Sequence, residues 1–156
     1  MRLEYFQMLD RIVDLNIDER TIRAICTIPK TSPVFEGHFP GYPLMPGVLL
    51  IECMAQTTGW LASALVNFSG LPMLCGVKEA KLRSAVFPGD ELEFEGKVVH
   101  EGSGYTVGET KGRRQGKIVC SVEITYRIVP YANDEFRQAL RDWAERLGFP
   151  LKEFIK

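Results

Sequence analysis

Apolar side chains recur along this chain in two rhythms. Between residues 20 and 28 they alternate, with Ile22, Ala24, Cys26 and Ile28 on one face and Thr21, Arg23 and Thr27 on the other, which predicts a β-strand. Ile25 breaks the polar face, so that face is expected to be partly covered as well. A strand at 8–17 precedes it across a polar turn at Asn16-Ile17-Asp18. Prolines at 29, 33, 40, 43 and 46 then argue against any regular helix or central strand over 29–47, because each fixes φ and removes a donor. From Pro46-Gly47 to about Phe68, before Ser69-Gly70, the spacing predicts a long helix. Leu50, Ile51, Cys53, Met54, Trp60, Leu61 and Leu65 cover nearly every side of it, and a helix apolar all round has to be enclosed.

The enclosure comes from the second half of the chain. Strands are predicted at 73–82, 91–101, 105–114 and 117–129, separated by Phe87-Pro88-Gly89-Asp90, Gly102-Ser103-Gly104 and Gln115-Gly116. The expected fold is therefore α+β, one long buried helix wrapped by a curved antiparallel sheet, the hot dog arrangement. A doubly wound sheet needs strands and helices in alternation, which this pattern lacks. A third segment closes the chain. Asn133 is a favourable N-cap, Asp134 and Glu135 follow it, and Phe136, Leu140, Trp143, Ala144 and Leu147 form one apolar stripe before Gly148 and Pro150. The reading is a domain over 1–132 and a C-terminal amphipathic helix within 133–156. Its Trp143 face is expected to dock on the sheet or on a neighbouring subunit, adding stability but no chemistry.

Composition narrows the function classes. Of 156 residues, 46% are hydrophobic and 25% charged, with a formal net charge of −1, which is ordinary for one globular domain. No global positive field exists to hold nucleic acid. The N-terminus carries Arg2 and Glu4 where a secretory signal needs an apolar run. The stretch 48–68 has the length of a membrane span, but Glu52, Gln56, Thr57, Thr58, Ser63 and Asn67 interrupt it. Four cysteines, Cys26, Cys53, Cys75 and Cys120, form no CxxC pair. Cys53 and Cys75 have apolar neighbours, so buried, reduced thiols and a cytoplasmic location are expected. Neither His38 nor His100 has a cysteine at zinc-ligand spacing, so no metal is expected.

Chemistry concentrates in Gly37-His38-Phe39-Pro40-Gly41-Tyr42-Pro43-Leu44-Met45-Pro46-Gly47-Val48 and the helix that follows. Glu52 lies about five residues into that helix, roughly 7.5 Å along its axis, among Leu50, Ile51, Cys53 and Met54. An unpaired carboxylate in apolar surroundings costs several kcal/mol, and a carboxyl that keeps its proton is a general acid. The plain alternative has Glu52 facing solvent or pairing with Arg83 or Lys81. His38, in the loop that feeds the helix, carries an imidazole suited to proton abstraction at neutral pH; the alternative is a histidine that merely caps a turn. The Gly47 and Val48 amides fall in the first helical turn, where N–H groups lack intrahelical acceptors and the dipole favours an oxyanion. Base, acid and oxyanion site together describe removal of a proton α to a carbonyl with loss of a β-hydroxyl. That chemistry needs no metal and no organic cofactor.

The same segment closely resembles the 3-hydroxyacyl-(acyl-carrier-protein) dehydratases of fatty acid synthesis. The resemblance rests on His38-Phe39-Pro40-Gly41, Met45-Pro46-Gly47-Val48 and Glu52-Cys53-Met54-Ala55-Gln56, and extends over 9–131 through Leu9-Asp10-Arg11 and Phe87-Pro88-Gly89-Asp90. It implies that His38 and Glu52 are catalytic, that the Gly47 amide polarises the thioester carbonyl, and that Gln56 lies near Glu52. Glu at position 52, where the isomerising relative has Asp, implies dehydration without double-bond isomerisation. It also implies an acyl carrier protein as partner and a homodimer or larger homo-oligomer in which His and Glu meet across the interface. Phe35, Phe39, Met45 and Trp60 are candidates for an acyl tunnel, against ordinary core packing. The cluster Lys111-Gly112-Arg113-Arg114-Gln115-Gly116-Lys117, with Lys78, Lys81 and Arg83, is either a solvated turn or a carrier-docking patch.

Two departures stand out. A Pro-His-Arg-Tyr-Pro-like opening is replaced by Leu3-Glu4-Tyr5-Phe6-Gln7, and twenty-five residues follow Tyr131. Both leave open a polyketide or aryl-polyene pathway. A hot dog thioesterase and a non-catalytic acyl-binding subunit remain the competing readings.

Overall fold

The computed structural model describes residues 1–154. Its sheet has six antiparallel strands in the order β1-β2-β4-β5-β6-β3: β1 (Arg11–Asn16), β2 (Thr21–Thr27), β3 (Leu71–Leu82), β4 (Glu91–Gly102), β5 (Tyr105–Arg114) and β6 (Lys117–Val129). Alternation in β2 works as expected. Ile22, Ala24, Cys26 and the following Ile28 are buried, and Ile25 on the other face is half-buried. Two hairpins close on two-residue turns, Ser103-Gly104 and Gln115-Gly116, all four residues with φ between 50° and 79°. Paired positive φ angles match the right-handed twist of the flanking strands.

Helix α2 (Gly47–Leu65) lies in the concave face, against β2, β3, β4, β5 and β6. It stops three residues before the expected Phe68. One element was not expected: the proline-rich loop holds a short helix, α1 (Pro33–Gly37), five residues long. Its physical reason is local. Ser32 caps it by accepting the Val34 N–H at 3.2 Å, and Pro33 stands at the first helical position, where a missing donor costs nothing.

The sheet approaches α2 closely at Thr58, because Gly96 and Gly108 on the neighbouring strands β4 and β5 have no side chain there. A Cβ on Gly108 would overlap the Thr58 Cγ2, and one on Gly96 would sit 2.7 Å from the Thr58 Oγ1. Thr58 and Thr110 share a buried hydroxyl–hydroxyl hydrogen bond in the same place. Gly108→Ala is therefore expected to destabilise the fold by about 1–3 kcal/mol through overpacking. Adding Thr58→Ser removes the clashing methyl, keeps the hydroxyl, and should restore most of the loss in denaturant titrations.

The C-terminal helix forms as the caps predict. Helix α3 (Asp134–Arg146) starts with Asn133 Oδ1 accepting the Phe136 N–H at 2.7 Å. It ends in a Schellman turn, with Phe149 N–H donating to the Ala144 carbonyl at 2.9 Å, Gly148 N–H to Glu145 at 3.0 Å, and Gly148 at φ 75°. Its apolar stripe meets α2 at Trp60. Trp143 stands edge-on to Trp60 at 5.5 Å and 89°, while Phe149 packs on both Trp60 and Phe68. The Leu147 carbonyl accepts the Ile12 N–H at 2.8 Å, tying the helix end to β1. Residues 155 and 156 of the expected extension lie outside the described residues.

One thiol differs from expectation. Cys26, Cys53 and Cys120 are buried, but Cys75 is exposed, because its apolar neighbours Met73 and Leu74 stand on an edge strand and are exposed themselves. Burial pushes the Cys53 thiol well up and Cys120 to about 11, so both stay protonated and unreactive at neutral pH. Among the described residues, α2 is the one helix long and apolar enough to cross a membrane, and 61% of that stretch is buried within the fold.

Candidate active site

Enclosure of α2 fails at its first turn. Val48 is 71% exposed, next to a loop on which Phe39 is 50% and Tyr42 58% exposed. Pro46 sets the helix start, and its carbonyl accepts the Leu49 and Leu50 amides at 3.0 and 3.2 Å. Among the described residues the Gly47 and Val48 amides have no such partner, as the first turn of a helix requires. Gly47 also permits a close approach, since a Cβ there would overlap the Leu82 side chain of β3. Two unpaired donors thus stand at the positive end of a nineteen-residue helix.

His38 caps α1, and its ring Nδ1 lies 3.1 Å from the Leu44 carbonyl. A carbonyl only accepts, so the contact assigns a proton to Nδ1, and it is Nε2 that is left to exchange one. Stacking on Phe39, 4.1 Å between centroids at 27°, holds the ring flat. The backbone loop repeats this fixation, with Leu44 N–H donating to the His38 carbonyl at 3.0 Å and Met45 N–H to Val86 at 2.7 Å. This is an imidazole oriented to take a proton.

Glu52 is half-buried and has neither Arg83 nor Lys81 as partner. Arg83 donates to Ser121 Oγ at 2.8 Å instead. The Glu52 contact is Gln56, one turn on, whose Nε2 donates to Glu52 Oε1 at 2.8 Å. Gln56 does more than lie nearby. The same Nε2 donates to the Phe6 carbonyl at 2.6 Å, and Oε1 accepts the Met8 N–H at 3.1 Å. Both amide protons and one carbonyl lone pair are spent on the contact with Glu52 and on anchoring the N-terminal segment to α2. That second role had no signal in the sequence, since Gln56 meets residues 48 and 50 positions away. Gln56→Leu removes the hydrogen bond that orients the Glu52 carboxyl and leaves the Phe6 carbonyl and the Met8 N–H without this partner, a loss of about 1–3 kcal/mol. Steady-state kinetics should show kcat down roughly 10- to 100-fold with KM near wild type.

Glu52 opens onto a cleft of about 200 Å³ lined by Gln56, Trp60, Phe68, Tyr126, Leu140 and Trp143, among others. Of the four tunnel candidates only Trp60 lines it. Phe35 and Met45 are buried in the core, and Phe39 stands on the exposed loop beside His38. His38 is not part of the cleft lining either. Tyr126 donates to the Ala55 carbonyl at 2.7 Å, and burial pushes its phenol far above the ordinary range. Among the described residues no group of three or more His, Cys, Asp or Glu side chains is placed to hold a metal ion.

Known proteins resemble this chain in sequence and in fold. A family model described as a FabA-like domain matches residues 2–123. A 3-hydroxyacyl-[acyl-carrier-protein] dehydratase FabZ of Shewanella sediminis is 42% identical over 123 residues, covering 76% of this chain and 80% of that protein. The corresponding Shewanella loihica protein is 39% identical with the same coverage. Among solved structures, the dehydratase heterocomplex ApeI:P of Xenorhabdus doucetiae aligns with a TM-score of 0.65 at 15% identity, over 88% of this chain and 90% of that one. A putative thioesterase of Ralstonia eutropha aligns at 0.62 and 13% identity, over 75% and 83%. These two share the hot dog fold.

Proposed function

The chain belongs to the FabA-like family, and from that premise we propose that it dehydrates 3-hydroxyacyl groups on acyl carrier protein to trans-2-enoyl thioesters through His38 and Glu52. His38 Nε2 takes the proton α to the thioester carbonyl. The Gly47 amide, with Val48 beside it, holds the charge that develops on the carbonyl oxygen. Glu52, positioned by Gln56, gives its proton to the departing β-hydroxyl, which leaves as water. The proton from Cα then returns the site to its starting state through solvent. The observation that carries this reading is the contact of His38 Nδ1 with the Leu44 carbonyl at 3.1 Å, which turns Nε2 outward as the free ring nitrogen, in a loop that runs directly into the amides of Gly47 and Val48.

We place the working site between two copies of the chain. His38 does not line the cleft at Glu52, and the exposed surface around the helix start is apolar. Phe39, Tyr42, Val48 and Leu82 are exposed around the helix start, and Met73, Leu74 and Val77 continue along the edge strand β3. An exposed apolar band beside an unpaired strand edge calls for a partner. For the carrier protein the basic turn of β5 and β6 has less to offer than its composition promises. Arg113 pairs with Glu95 at 3.0 Å and Arg114 with Asp90 at 2.5 Å. Lys81 and Arg83 form no ion pair among the described residues and adjoin Leu82, whose side chain meets the helix start at Gly47, so they are the better candidates. The buried thiols of Cys26, Cys53 and Cys120 suit the reducing cytoplasm.

Purified protein incubated with a 3-hydroxyacyl thioester separates the readings. Enoyl absorbance without thiol release is the expected result. Thiol release would make it a thioesterase, and neither product would make it an acyl-binding subunit.

A further inference from the structure

The cleft at Glu52 has two ends of different origin. It follows one stripe of α2 through Glu52, Gln56, Trp60 and Ser63, a span of roughly 16 Å at 1.5 Å per residue. Its catalytic end belongs to the part of the chain that the family model matches, residues 2–123. Its far wall does not. Leu140 and Trp143 of α3, with Tyr131 just before that helix, complete the lining, Trp143 standing against Trp60, about two turns along α2 from Glu52, and all three lie beyond residue 123.

That wall is fixed. Trp143 is held edge-on against Trp60, Phe149 wedges between Trp60 and Phe68, and the Leu147 carbonyl is bonded to β1. Leu140 is only half-buried, so its side chain borders the cleft without being absorbed into the core. We infer that α3 gauges the acyl chain: the hydrocarbon tail of the 3-hydroxyacyl group runs from Glu52 along the α2 stripe and stops against Leu140 and Trp143. The inference rests on the dehydratase reading for the position of the reacting carbons. It gives the C-terminal segment a specificity role, in place of a purely stabilising one. Its ligand is an apolar acyl tail, since aromatic and aliphatic side chains make most of the lining there.

The test uses the full-length protein and a ladder of saturated acyl-pantetheine thioesters rising by two carbons, with binding read by calorimetry. Affinity in the wild type should rise with length to a limit and fall beyond it. Leu140→Ala opens the end of the cleft and should move the limit to longer chains. Leu140→Trp fills it and should move the limit to shorter ones. One methylene in an apolar pocket changes discrimination by roughly 10–200-fold, so the Kd ratio across the limiting step should change by about 10-fold or more. If the tryptophan variant does not fold, the alanine variant decides. A limit unmoved in the folded variants, or a wild type that binds no acyl chain, overturns the inference. A limit that moves in a protein forming no enoyl product sinks the dehydratase reading and leaves the gauge standing. Enoyl formation with an unmoved limit does the reverse.

Discussion

His38→Ala and Glu52→Gln are each expected to lower kcat by about 10²–10⁴-fold, the usual contribution of a general acid–base group, while leaving a folded protein. The substitutions are chosen for what they preserve. Gln at position 52 keeps an Oε1 acceptor for the Gln56 Nε2 that now donates at 2.8 Å, so the tie between α2 and the N-terminal segment survives. Only the transferable proton is lost. Alanine at 38 removes the ring bond to the Leu44 carbonyl, a net loss of about 0.5–1.5 kcal/mol. The loop keeps its backbone bonds from Leu44 to His38 and from Met45 to Val86. Stopped-assay kinetics with a 3-hydroxyacyl thioester, beside melting curves, check both halves of the expectation. Near-normal turnover in either variant would remove that residue from the mechanism.

The parts of this fold that were legible in the sequence are those decided within a few residues. Ser103-Gly104 and Gln115-Gly116 announce their hairpins because positive φ is needed there and little else supplies it. Asn133 and Gly148 announce the two ends of α3 because a cap satisfies backbone groups that nothing else reaches. The site was legible in the same way, as a loop, a helix start and a carboxyl within fifteen residues of one another. What escaped was every choice between distant partners. The apolar stripe on α3 fits a sheet as well as a helix, and only the position of Trp60 decides for α2. Cys75 has the neighbours of a core residue, yet those neighbours lie on an edge strand. Helix α2 reads as enclosed on all sides, while its first turn, at Val48, is left open within one protomer.

That opening leads to the second large effect. Mixing inactive His38→Ala protein with inactive Glu52→Gln protein, under conditions where subunits exchange, should restore activity to about a quarter of wild type. The figure follows from a two-fold dimer whose sites each take His38 from one chain and Glu52 from the other. Half of the dimers in an equal mixture are hybrids. In each hybrid one site collects both substitutions and the other collects neither. Sites built within single chains would give no recovery, because every chain in the mixture carries a defect. The structure supports the shared arrangement on two counts. The cleft that holds Glu52 is not lined by His38. The exposed Phe39, Tyr42 and Val48 beside the bare β3 edge form the surface through which a second copy would bring its own histidine. Light scattering on the same samples closes the alternatives. A monomer with full activity, or a stable dimer whose mixture stays dead after exchange, would each end the shared-site reading.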